Sequence, residues 1–175
     1  MINLESASRT LKRKVEKQDV YVAALHNYSR DWSIADDVYA MELFRKVKGI
    51  FLNIVPKEAS HLNGIICAVT ENELSMMKVR EKNYDCIDVT NLIVCKNISF
   101  TNHRVVTFVG KVENIVSSHE NDCYVFDQYV KKVMKGVDDF GKVFYQEFIR
   151  TTTPHLLPIL QGDYQFVDAL QDKSR

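Results

Sequence analysis

Three motifs by which a sequence often declares an enzyme are missing from these 175 residues. No complete Gly-x-x-x-x-Gly-Lys-Ser/Thr, no Gly-x-Gly-x-x-Gly and no Gly-x-Ser-x-Gly occurs, so neither a phosphate-cradling loop nor a serine elbow is indicated. His26, His61, His103, His119 and His155 are dispersed without His-x-x-x-His spacing, which leaves no pair of imidazoles on one helix face and no expected metal. Cys67, Cys86, Cys95 and Cys123 lack Cys-x-x-Cys spacing, and they read as reduced, structural thiols of a cytoplasmic protein. Apolar runs such as Ile65 to Val69 fall far short of the roughly 20 residues a membrane-spanning helix needs. Met1 to Lys17 is charged throughout, unlike an export signal. Charge of one sign is lacking too: Lys plus Arg and Asp plus Glu each number 23, so no global field draws nucleic acid or an anionic membrane.

A hydrophobic content of 46% in a chain of this length suits one globular domain, spanning 1–175. Leu4, Ala7, Leu11 and Val15 recur at helical spacing behind Asn3, a suitable N-cap, and predict an amphipathic helix over 3–17. Its other side carries Arg9, Lys12, Arg13, Lys14 and Lys17, a solvated face. Buried strands are expected over 19–28, over 49–55 with Pro56 as a stop, and over 65–69, with a polar corner at 29–33. The second and third are expected to pair through the turn between them, with Gly64 inside the third. Further strands are read over 84–94 and 105–109, with a loop between. After Ser117 the spacing turns helical, with Phe126, Tyr129, Val130, Val133, Met134 and Val137 in one stripe and Phe140, Phe144 and Phe148 in a second. Gly136 reads as the stop between them and Asp138 as the next N-cap, and Pro154 and Pro158 end the pattern.

The segment from Thr70 to Tyr84 carries the chemistry. Thr70 and Glu73 have capping-box spacing, predicting a helix of about three turns that Asn83 closes in a left-handed conformation. Leu74, Met77 and Glu81 then share its apolar face. In the last turn, among unpaired carbonyls and partly buried, a carboxylate is disfavoured relative to its acid form, as general acid-base work near neutrality requires. The competing reading is that Glu81 merely pairs with Arg80 or bends out to water.

Gly64 opening a strand, then Thr70-Glu71-Asn72-Glu73-Leu74, then Arg80-Glu81-Lys82-Asn83-Tyr84, resembles the γ-glutamylcyclotransferase-like superfamily. Asn27-Tyr28-Ser29-Arg30-Asp31-Trp32 is similar to that family's tyrosine-x-arginine-x-tryptophan corner, and Tyr129, Gly136 and Gly141 follow in the same order. The resemblance spans about residues 2–153. It implies an α+β fold with a mixed, curved, barrel-like sheet flanked by helices. Glu81 is then the catalytic carboxylate, with Tyr84 and Tyr129 near the substrate. The implied reaction cyclises a γ-glutamyl amide or amine to 5-oxoproline and frees the amine, with no cofactor and a small γ-glutamyl substrate as the partner.

Relatives open with a strand ending in a tyrosine-glycine-serine loop, and the text that usually follows it resembles Ile2-Asn3-Leu4-Glu5-Ser6-Ala7-Ser8. The domain is therefore expected to be incomplete at its N-terminus. Met1, Ile2 and Asn3 would keep part of the substrate cradle at a helix N-terminus. An inactive member that binds a γ-glutamyl ligand or a protein is the alternative. A nucleic-acid module using the basic side of the first helix has little behind it in so balanced a chain.

Overall fold

Alternating β-branched and aromatic residues carry this chain in extended form much further than its short apolar runs suggest. The computed structural model describes residues 3–96, 98, 100, 102–116 and 121–169. In chain order the elements are α1 (Leu4–Leu11), β1 (Val20–Ala40), β2 (Arg45–Cys67), α2 (Glu71–Arg80), β3 (Tyr84–Asp88), β4 (Ile93–Cys95) and β5 (Val106–Gly110). They continue with β6 (Cys123–Phe126), α3 (Asp127–Asp138), α4 (Lys142–Arg150), β7 (Ile159–Leu160) and β8 (Tyr164–Phe166).

β1 and β2 form one long antiparallel hairpin, with Val20 opposite Cys67 and Ala40 opposite Arg45. This corrects three expectations. Residues 29–33 are not a corner but lie inside β1, where the register shifts between Trp32 and Ile34. Residues 49–55 and 65–69 are not two strands joined by a turn; β2 runs from the first into the second and pairs throughout with β1. Pro56 does not stop it, because it lies opposite Tyr28 beside an irregularity where residues 57–60 have no cross-strand partner, the kind of place a missing N–H is tolerated. Gly64 sits inside the strand, opposite Ala23.

β4 and β8 pair with β1, and β6 runs parallel to β2 at Lys48 and Gly49, with β7 parallel to β6. The result is a mixed six-stranded sheet, order β4-β1-β2-β6-β7 with β8 also on β1, and a separate ribbon of β3 with β5. The fold is thus α+β, a large mixed sheet with four helices. Among the described residues the sheet does not close on itself.

α1 is shorter than its apolar spacing predicts. Asn3 caps it, accepting from Ser6 N at 2.9 Å, but Lys12 turns left-handed (φ 52°) and ends it. Val15 is still buried, its amide held by Ser8 Oγ at 2.9 Å, so Ala7, Leu11 and Val15 pack together on Val20 as the spacing requires. Phe126 closes β6 rather than joining the helical stripe, and Gly136 lies within α3 instead of ending it. A side chain there would stand 2.8 Å from Asn3 Cα, so the glycine admits α1's start against α3. Gly141, not Asp138, is the N-cap of α4. Phe144 and Phe148 of α4 join Val137 of α3 in a core against Leu52 of β2.

α4 is also tied to β2 by charge. Glu147 lies 2.6 Å from Arg150 Nη2 and 2.8 Å from His61 Nε2. Arg150 first, and then His61, bring its pKa from 4.5 to about 2. A carboxyl lower in the folded than in the unfolded chain stabilises fully above pH 4.5 and loses that contribution as pH falls toward 2. Urea unfolding across this range should therefore show a steeper acid loss for the native sequence than for Glu147→Gln; parallel curves would refute the assignment.

Candidate functional site

The capping box predicted for Thr70 and Glu73 forms: Thr70 Oγ1 accepts from Glu73 N at 3.2 Å, and Glu73 Oε2 accepts from Thr70 N at 2.7 Å. Arg13 Nε reaches the other Glu73 oxygen at 2.6 Å. Thr70's amide, and after it Arg13, hold the Glu73 carboxyl below the usual glutamate range. α2 is in this way fixed to the segment after α1, and its far end is fixed as well. Arg80 is buried and donates to Thr10 Oγ1 of α1.

Glu81 follows as the C-cap, its amide donating to Met77 O at 2.8 Å. Its side chain is only 16% exposed, and Oε1 lies 3.2 Å from Arg80 Nε. The carboxylate is therefore turned in from bulk water, and it is ion-paired with Arg80. Asn83 does not turn left-handed. The helix instead ends in a turn, Tyr84 N donating to Glu81 O at 2.9 Å, while Asn83 O accepts from Lys111 N at 3.0 Å.

Tyr84 opens β3, and Tyr129 lies in the first turn of α3, yet both hydroxyls meet at one residue of β2. Leu52 N donates to Tyr129 Oη at 3.3 Å, and Tyr84 Oη donates to Leu52 O at 3.4 Å. The reason is the edge of β2. Its pairing with β6 covers only Lys48 and Gly49, so beyond them peptide groups need side-chain partners in place of a neighbouring strand. Tyr129 is also edge-on to Phe51 (4.9 Å) and Trp32 (6.0 Å).

Asn3, one turn further along α3, donates from Nδ2 to Lys132 O at 3.2 Å and accepts from Ser6 with Oδ1. Met1 and Ile2, the other expected cradle residues, lie outside the described residues. The structure thus brings Tyr84 and Tyr129 together at Leu52, sets Glu81 one turn ahead of Tyr84, and ties Asn3 to the Tyr129 helix.

Sequence reasoning missed a polar line through the next residue of β2. Asn53, 3% exposed, accepts from Gly110 N at 2.8 Å and donates to Ser33 Oγ at 3.1 Å; Ser33 Oγ donates to Asp31 Oδ1 at 2.6 Å. Burial pushes the Asp31 carboxyl above the ordinary aspartate range, the Ser33 hydrogen bond working against it. A lone asparagine inside the apolar run Gly49–Val55 was the available signal, since a buried amide demands partners.

On the opposite face of β1, Arg30 is 4% exposed. It donates to Thr152 Oγ1 at 3.0 Å and to Asn63 O, with Cζ 4.2 Å from the centre of the Phe148 ring. No acidic side chain pairs with it among the described residues, and burial brings its pKa down to about 10.

A wide surface depression lies elsewhere, lined by Asp88, Thr90, Ile93, Phe100, His103 and Arg104, and Glu81, Tyr84 and Tyr129 are not among its walls. Gly136 and Gly141-Lys142 spell most of a phosphate loop, but Val143 replaces its hydroxyl residue and Gly136 is helical. No group of three or more His, Cys, Asp or Glu positioned to hold a metal occurs among the described residues. Nor is any described helix long and apolar enough to cross a membrane. Set against models of protein families and against curated proteins, the chain gives no match.

Proposed function

We propose that this chain is a γ-glutamylcyclotransferase-like enzyme that converts a γ-glutamyl amide to 5-oxoproline and a free amine. The observation that carries the reading is the Glu81 carboxylate, held inward at the end of α2 one turn ahead of Tyr84, whose hydroxyl shares the Leu52 peptide with Tyr129. The resemblance of the segment Arg80 to Tyr84 adds to it. A closed, barrel-like sheet and a cytoplasmic location belong to the same reading.

The substrate's own α-amine attacks the γ-carbonyl carbon. The new C–N bond closes the five-membered ring, and the old one breaks. Two protons leave the attacking ammonium nitrogen, which ends as the lactam N–H, and both arrive on the departing nitrogen. Glu81 takes the first before attack and returns it to the leaving amine, and the second follows as the tetrahedral adduct collapses. Such proton transfer, with nucleophile and carbonyl held at near-attack distance, supplies the rate without a cofactor.

A second reading, a member that binds without turnover, is favoured by one contact, the ion pair that engages Glu81 with Arg80. Incubation with glutathione, γ-glutamyl dipeptides and γ-glutamylamines, followed by chromatographic detection of 5-oxoproline, separates the two. Release from at least one is expected. Silence with all of them would overturn the catalytic reading.

A further inference from the structure

The polar line through Asn53 begins where the proposed site lies. Tyr84 N donates to Glu81 O, and Tyr84 pairs across the ribbon with Gly110. Gly110 N then donates to Asn53, Asn53 to Ser33, and Ser33 to Asp31. The two acidic residues are thus joined by an unbroken set of contacts through β3, β5, β2 and β1. Gly110 makes the approach possible: a Cβ there would stand 2.6 Å from Ile34 Cδ1 and 2.9 Å from both polar atoms of the Asn53 amide. The amide in turn fixes the Ser33 hydroxyl, and the hydroxyl fixes the carboxyl.

Asp31 is half-buried, opposite Asn53 in the β1–β2 register. Its neighbours on that line are a hydroxyl and an amide, and no Lys, Arg or His pairs with it among the described residues. A carboxyl taken partly from water, oriented by a built hydrogen-bond line and given no cation by its own chain, is arranged to receive one from outside.

We propose that Asp31 binds the α-ammonium group of the γ-glutamyl ligand beside Glu81. Asp31 keeps one N–H while Glu81 removes a proton, so that the freed lone pair is held toward the γ-carbonyl. This assignment rests on the γ-glutamyl reading for its ligand and extends it to a second carboxylate that no motif marked. Asp31 is a binding residue and exchanges no proton in this scheme.

The test is calorimetric binding of L-γ-glutamyl-L-alanine and of its α-N-acetyl derivative, in which the ammonium is lost. The native chain is expected to bind the first and to bind the second more weakly. Asp31→Asn, which keeps an acceptor for Ser33, should weaken the first by about 10- to 100-fold, the range of a lost charge-assisted hydrogen bond, and leave the second unchanged. If that variant does not fold, Ser33→Ala, which retains the carboxyl but not its orientation, must weaken the first ligand and spare the second.

Native-like binding of the first ligand by folded Asp31→Asn overturns this inference, whatever the chain's turnover. Equal binding of both ligands by the native chain overturns it too. Ammonium-dependent binding that is lost in Asp31→Asn, from a chain releasing no 5-oxoproline, overturns the catalytic reading and supports this one. Binding of neither ligand overturns both.

Discussion

Replacing Glu81 by glutamine is expected to lower 5-oxoproline release by about 10²- to 10⁴-fold, the range over which a positioned general acid-base group acts. The glutamine keeps an oxygen toward Arg80 Nε, which faces Glu81 at 3.2 Å, and it removes only the capacity to take and return a proton. Glu81→Asp is the needed companion. It keeps a negative charge for buried Arg80 but withdraws the carboxyl by one methylene, so the ion pair suffers less than the chemistry. Both variants should give far-ultraviolet circular dichroism spectra like that of the native chain. Activity retained in Glu81→Gln would make the carboxylate a partner for Arg80 and nothing more.

The largest loss of stability is expected from Phe148→Ala. Phe148 is 1% exposed and belongs to the core that α3 and α4 close over β2. Truncating a buried phenylalanine costs about 3–5 kcal/mol. Here the ring also lies under the Arg30 guanidinium, 4.2 Å from its centre, a contact worth about 0.5–2 kcal/mol. A domain stable by about 5–15 kcal/mol would be brought near the edge of folding. Phe148→Leu fills most of the space without offering a π face, so it should cost clearly less. Combining Phe148→Leu with Arg30→Met removes ring and cation together, and the pair should cost less than the sum of the singles. Additive costs in denaturant titrations would show that the stacking contributes nothing.

Some of this was legible because it is local. The Thr70–Glu73 box requires only four residues of sequence, and it forms as spaced. The apolar positions of α1 and of α4 emerge on buried faces, since helical periodicity is set within a few turns. Even where α1 stops short, Val15 remains where its spacing put it, because burial of the apolar side outlasts the helical backbone.

What failed depends on partners distant in sequence. Residues 29–33 read as a corner from their polarity, yet cross-strand neighbours at 51–55 supply the hydrogen bonds that keep them extended. Pro56 reads as a stop, but a long strand absorbs it at an irregularity. β6, β7 and β8 are short and exist only because other strands offer them edges.

The sequence by itself determined where helices start, which side chains turn inward, and that Glu81 would end a short helix with an apolar face. Tertiary structure alone decided that Tyr84 and Tyr129 would meet at Leu52, and that Asp31, Ser33 and Asn53 would form a line ending at Gly110. The physical reason is the unpaired edge of β2. Backbone groups left without a strand must be satisfied by whatever side chains folding brings near, and no pattern within a few residues encodes which those will be.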